Sequence, residues 1–208
     1  NPNSAYTFDG VNDYIELTNS NLVLNGSFTF STWVTIDDLT PAFPDPPIIS
    51  QWQGNNSGER KFTFGYRSWG GAKGVAFYTF SPSNSQKDYY PSNWSPIQSD
   101  WYNLSVVFSP GISVMSYVNG QLHYEDTVNI PINLITSASP IRIGQLSNQG
   151  GPGQWWNGKV DDIKIYQCAL EPLQIDSIYQ AESSPTGVPT PNDFNTLKIY
   201  PNPANTQL

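Results

Sequence analysis

Residues 101–125 read WYNLSVVFSPGISVMSYVNGQLHYE, and this stretch decides the fold. Tyr102, Leu104, Val106 and Phe108 are apolar at alternate positions, with Asn103 and Ser105 between them, which is the period of a strand that lays one face on a core. A second run, Ile112 to Val118, follows a Pro-Gly break, and Asn119-Gly120 separates it from Gln121 to Glu125. Asn-Gly supplies the two positive φ angles of a tight hairpin. The stretch therefore predicts consecutive antiparallel strands.

Outward from it, the same period of two recurs in Ser27 to Ile36 (SFTFSTWVTI), Lys61 to Tyr66 and Gly74 to Phe80, divided by clusters of Gly, Pro, Asn and Ser. One helix is expected, Glu171 to Gln180, with Pro172 in its first turn and Leu173, Ile175, Ile178 and Tyr179 as an apolar stripe. Short strands closed by one helix predict an all-β chain: a two-sheet antiparallel β-sandwich of jelly-roll type with one short C-terminal helix. The folded unit is expected over residues 1–182, and residues 183–196 (SSPTGVPTPNDFNT) have the composition of a linker.

The chain of 208 residues carries 9 Lys and Arg against 17 Asp and Glu, a net charge of -8. Phosphate contacts need a basic surface, so nucleic acid and anionic membranes are not the expected partners. A single Cys, Cys168, makes no intramolecular disulfide, and a single His, His123, excludes a His-rich zinc centre. No run approaches the length of a membrane span, and no signal peptide precedes Asn1, so the chain is expected to be a soluble, monomeric piece of something longer.

AYTFDGVNDYIEL (Ala5 to Leu17), SFTFSTWV (Ser27 to Val34) and WNGKVDDIKIYQCALEPLQIDSIY (Trp156 to Tyr179) together resemble the concanavalin A-like, laminin-G-like jelly-roll domains of secreted proteins. IISQW (Ile48 to Trp52) and SYVNGQL (Ser116 to Leu122) are similar in order and spacing. The resemblance covers nearly all of residues 4–180 and implies fold more strongly than ligand. LKIYPNPANTQL, Leu197 to Leu208, resembles the opening of the sorting domain read by type IX secretion machinery in Bacteroidota. That implies a partner in this machinery and a secreted or outer-surface location.

The resembled fold is shared with glucanases, which carry a Glu-x-Asp-x-x-Glu strand that sets two carboxylates about 5 Å apart. No such segment occurs here. Asp37-Asp38, Glu125-Asp126 and Asp161-Asp162 are adjacent pairs, and neighbours on a strand point to opposite faces. His123 has no nucleophile elbow to serve, so no catalytic residue is expected.

Asp9, Asn12 and Asp13 share one turn, and the resemblance pairs the segment of Asp161 and Asp162 against the first strand. Some members of the resembled family hold calcium there, which makes Asp9, Asn12, Asp13 and Asp162 candidate ligands of a structural calcium ion. The alternative is that Asp9 and Asp13 cap the turn by accepting backbone N–H bonds.

Trp33, Trp101 and Trp156 are expected in the packing. Trp52, Trp69, Trp94 and Trp155 sit in or beside loops rich in Gly, Ser, Asn or Pro, where a ring can stand as a flat platform for the C–H face of a sugar or merely anchor the loop. Ser81 to Asp100 is expected to be a long loop bordering the ligand site, with Tyr89 and Tyr90 beside Trp94. Arg67 and Lys87 belong to a basic segment that could read sulfate or carboxylate groups, or could be a solvated strand face. The expected function is a non-catalytic carbohydrate-binding module of a larger secreted polysaccharide-degrading protein, with neutral and anionic polysaccharides both open. A surface adhesion or spacer module that contacts proteins is the alternative.

Overall fold

The computed structural model describes residues 5–17, 22, 24–41, 45–54, 58–68, 73–90, 94–146, 154–183 and 196–199. In chain order the strands are β1 (Tyr6–Asp9), β2 (Ile15–Leu17), β3 (Phe28–Thr35), β4 (Pro47–Trp52), β5 (Arg60–Arg67), β6 (Gly74–Phe80), β7 (Gln86–Tyr89) and β8 (Trp101–Ser109). They continue as β9 (Ser113–Val118), β10 (Gln121–Asp126), β11 (Ile141–Ile143), β12 (Gln145–Leu146), β13 (Gln154–Trp155), β14 (Asn157–Tyr166) and β15 (Thr196–Ile199), with helix α1 (Pro172–Ser183) after β14.

Two large antiparallel sheets form the sandwich. The first runs β1-β14-β3-β8-β9-β10 and the second β2-β11-β4-β5-β6-β7. The Asn119-Gly120 hairpin forms with both residues at positive φ, 51° and 76°. β15 pairs with Ile163 to Tyr166 of β14, continuing the line that β1 begins at Asn157 to Val160.

The core lies between the sheets and is strongly aromatic. Phe28, Phe30 and Phe108 of the first sheet meet Phe62, Phe64 and Phe77 of the second, with Phe28 and Phe62 centroids 5.7 Å apart and Phe30 and Phe62 5.1 Å apart. Each of these rings is buried, at about 2 kcal/mol of transfer free energy apiece.

The outer face of the first sheet is also covered. Helix α1 starts with Glu171 as cap and Pro172 at the first helical position, and Gln174 Oε1 accepts the Glu171 N–H at 2.8 Å. The helix buries Ile175 against Val107, Tyr117, Tyr166 and Leu170, while Leu173, expected on its apolar stripe, is 80% exposed. Asn103 and Ser105, which alternation alone places on a solvent face, are buried under it. Ser105 Oγ donates to Ser31 Oγ at 2.9 Å, and Glu182 accepts from Trp33 Nε1 at 2.7 Å and pairs with Lys164.

The outer face of the second sheet is buried at Thr63, Tyr78 and Arg67. Near the N-terminus of β4, Pro46 crosses so close to β5 that a Cβ on Gly65 would stand 2.2 Å from the Pro46 carbonyl oxygen, so only glycine fits. At the opposite end the chain after β10 folds back and puts Ile130 and Leu134 into the core between the sheets. Ile135 N–H donates to the Phe80 carbonyl at 2.9 Å and Gln51 Nε2 to the Ser139 carbonyl at 2.9 Å.

Candidate functional site

The strand directions sort the connections between two ends of the sandwich. The registers place the β1–β2, β3–β4, β5–β6 and β7–β8 connections, the Asn119-Gly120 hairpin and the start of β14 at one end. Asp9, Asn12, Asp13, Arg67, Tyr90, Trp94 and Trp155 all belong to this end. Trp52 closes β4 at the opposite end, beside Arg60 at the start of β5.

At the shared end exposed Tyr14 and half-buried Trp155 form a ring pair. Trp155 sits on the β12–β13 ribbon, which Ser50 Oγ anchors to β4 by donating to the Gln145 carbonyl at 2.6 Å. Strand alternation sends the next residue, Trp156, into the core and turns Trp155 outward. Tyr14 leads into β2, is 48% exposed, and meets Trp155 with ring centroids 6.3 Å apart and planes at 49°. The Arg142 guanidinium lies 5.3 Å from the centre of the Tyr14 ring and is held by Glu16, Nε at 2.9 Å and Nη2 at 2.8 Å. Tyr14, Glu16 and Arg142 were not among the residues expected from sequence. Their signal was an aromatic between a Gly-Asp turn and a strand, and a cross-strand charge pair that only the β2–β11 register reveals.

The turn before Tyr14 is a set of caps. Asp9 Oδ1 accepts N–H bonds from Val11 at 2.8 Å and Asn12 at 3.2 Å, and Asp13 Oδ2 accepts the Asp9 N–H at 3.0 Å. Those bonds hold the Asp9 carboxyl below the ordinary carboxylate range. The expected calcium set does not fit one ion. Asp9 lies opposite Asn157 in the β1–β14 register, and Asp162 is five positions further along β14, about 16 Å away at strand rise. Asp162 instead sits at the irregularity between β14 and β3, with φ of 47° and its N–H on Asp161 Oδ1.

Arg67, expected as a clamp for an anionic ligand, is an internal group. Its Nη1 donates to Tyr78 OH at 2.8 Å and lies 3.4 Å from Asp45 Oδ2, and its guanidinium is 4.0 Å from the Tyr90 ring centre. Burial raises the Asp45 carboxyl above its usual range although Arg67 opposes the shift. Tyr90 is thus a half-buried cover on a cation, and Lys87 is likewise spoken for by Asp126 at 3.2 Å and the Val128 carbonyl.

Trp94 is a plug. It packs edge-on against Tyr66, Tyr102 and His123, with centroids at 6.1, 5.1 and 6.3 Å, and closes the gap between the sheets. Tyr89 is corrected outright. Gln86 to Tyr89 form a strand within the segment expected to be loop, so Tyr89 alternates inward, is 1% exposed and stacks on Phe77 at 5.8 Å. Its phenol is pushed up to about 12 by burial. Trp52 packs edge-on against Phe80 at 4.8 Å, far from the other aromatics. Trp69 lies outside the described residues. Trp101, expected in the core, is 41% exposed at the shared end, because it opens β8 opposite Thr35 at the rim. Trp33 and Trp156 do pack, Trp33 against Tyr179 of α1 at 5.7 Å and Trp156 in the core.

The fold has solved relatives. The chain matches the SAP-like pentraxin of Limulus polyphemus at 16% identity with a TM-score of 0.62, over 93% of this chain and 90% of the pentraxin. It matches the binding domain of botulinum neurotoxin DC, solved in complex with SialylT, at 17% identity and a TM-score of 0.61, over 84% of this chain and 42% of that one. A Bacteroides ovatus protein described as a candidate carbohydrate-binding protein matches at 14% identity and a TM-score of 0.58, over 83% of this chain and 45% of its own. No curated protein sequence matches. These likenesses establish the architecture. A laminin-G-type sequence model described as the concanavalin A-like lectin/glucanases superfamily matches residues 9–176, and the chain belongs to that superfamily.

Proposed function

We propose that the chain is a non-catalytic carbohydrate-binding module of a larger secreted protein that degrades polysaccharide, and that the polysaccharide lies across Tyr14 and Trp155. The observation that carries this reading is the tilted pair of exposed Tyr14 and half-buried Trp155, which offers apolar ring surface beside fixed polar groups. Helix α1 covers the outer face of one sheet, and Thr63, Tyr78 and Arg67 are buried on the outer face of the other, which favours the loop end as the place for a ligand. The lectin-like superfamily, the carbohydrate-binding description of the Bacteroides ovatus relative and the neurotoxin binding domain solved with SialylT support a glycan as the partner. The absence of a Glu-x-Asp-x-x-Glu strand supports binding without hydrolysis. The resemblance of Leu197 to Leu208 to a sorting signal supports export by type IX machinery to the cell surface or medium.

The test is affinity electrophoresis of the chain through gels that contain plant or algal polysaccharides, run beside Trp155→Ala. Retardation of the wild type by a polymer, weakened in the variant, is the expected result. A variant retarded as strongly as the wild type removes the ring pair from the site.

A further inference from the structure

The basic residues between 60 and 87 suggest a surface for anionic sugars, but the arginines of the loop end are neutralised from within. Arg142 is held by Glu16 through two nitrogens, and Arg67 by Asp45 and Tyr78 beneath Tyr90. Toward the opposite end Lys87 is paired with Asp126, and buried Lys61 donates to Asn25 Oδ1 at 2.9 Å. Among the described residues of the loop end, Lys73 and Lys159 are the cations outside an ion pair. Asp9, Asp13, Asp37, Asp38 and Asp100 carry no ion pair with described residues at the same end. The local field is therefore negative, on a chain whose net charge is -8.

We propose that the Tyr14–Trp155 site takes an uncharged polysaccharide and turns away sulfated or carboxylated ones; this rests on the glycan-binding reading above. Stacking on the two rings supplies apolar contact, and the exposed carboxylates of Asp9 and Asp13 beside Tyr14 are acceptors for sugar hydroxyls. A hydroxyl can donate to a carboxylate, whereas a sulfate or uronate has only acceptors to offer and meets like charge. An arginine locked by its own carboxylate leaves no unpaired fork for such an anion.

The distinguishing experiment runs the full chain through gels of a neutral galactomannan, a neutral β-glucan, a sulfated galactan and a polyuronate, at low salt and at about 0.5 M salt, where charges are screened within a few ångströms. The expected result is retardation of at least twofold by a neutral polymer, unchanged by salt, with free migration in both anionic gels. Retardation confined to an anionic gel and relieved by salt overturns the inference while leaving glycan binding intact. Free migration in every gel overturns the inference and the glycan-binding reading together.

Discussion

Tyr14 and Trp155 come from opposite ends of the sandwich sequence, and their ring centroids meet 6.3 Å apart at the loop end. Neither ring is needed by the core, since Trp156 fills that role one position later. Tyr14→Ala and Trp155→Ala are each expected to weaken glycan binding about tenfold, a loss near 1.4 kcal/mol, with melting temperature within a few degrees of wild type. Tyr14→Phe keeps the ring and should keep most of the affinity. Quantitative affinity electrophoresis paired with thermal melts checks both halves.

Glu182 is the last strong contact of α1, accepting from Trp33 and pairing with Lys164 on the sheet beneath. Both charged side chains are largely buried, at 8% and 11% exposure, so removing one strands the other. Glu182→Ala should cost about 3 kcal/mol and lower the melting temperature by about 10 °C, while Glu182→Gln, which still accepts from Trp33, should cost less. A chain ended before Glu182 should show the same loss as the alanine variant. Thermal melts of the three variants decide it.

Arg67 supports the structure below Tyr90. Arg67→Lys cannot lie flat on Tyr90 while reaching both Tyr78 and Asp45, so it is expected to destabilise by about 2 kcal/mol, and Arg67→Ala by about 3 kcal/mol. Glycan affinity should survive in whatever fraction remains folded. A denaturant melt gives the first quantity and gel retardation of the folded fraction the second.

His123 gives a pH signature. Burial holds its imidazole below the ordinary 6.5, so the folded chain binds this proton less readily than the unfolded one. Its contribution is fully present above pH 6.5 and is lost as pH falls through the lower folded value. Asp45 and Asp161, raised by burial, act in the opposite sense, their contribution being fully present below the ordinary carboxylate value and lost as pH rises through their raised ones. The difference between wild type and His123→Gln isolates the histidine. The variant should gain on wild type as pH drops from 7.5 to 5, and a flat difference would show that His123 is solvated.

Strands were legible wherever one face is apolar and turns are marked. Gly74–Phe80 and the Asn119-Gly120 hairpin follow directly from period and turn chemistry. Burial on the second face was not legible. Asn103 and Ser105 carry the polar pattern of a wet surface and lie under α1, a contact that depends on where a helix seventy residues later returns. The loop aromatics show the same limit. Tyr89 and Trp155 look alike in composition, and only pairing, with Phe77 in one case and along a two-residue ribbon in the other, sends one inward and one out. Arg142 and Glu16 are 126 positions apart, and Arg67 and Asp45 meet only because Pro46 crosses at Gly65.

The most direct measurement follows the indole N–H signals of the seven tryptophans by NMR, assigned through single Trp→Phe variants, during titration with an oligosaccharide cut from the polymer that retards the chain. The Trp155 signal should shift progressively while those of Trp33, Trp52 and Trp156 stay in place. A titration that moves Trp52 or Trp101 and leaves Trp155 unmoved would contradict the account and place the ligand elsewhere on the sandwich.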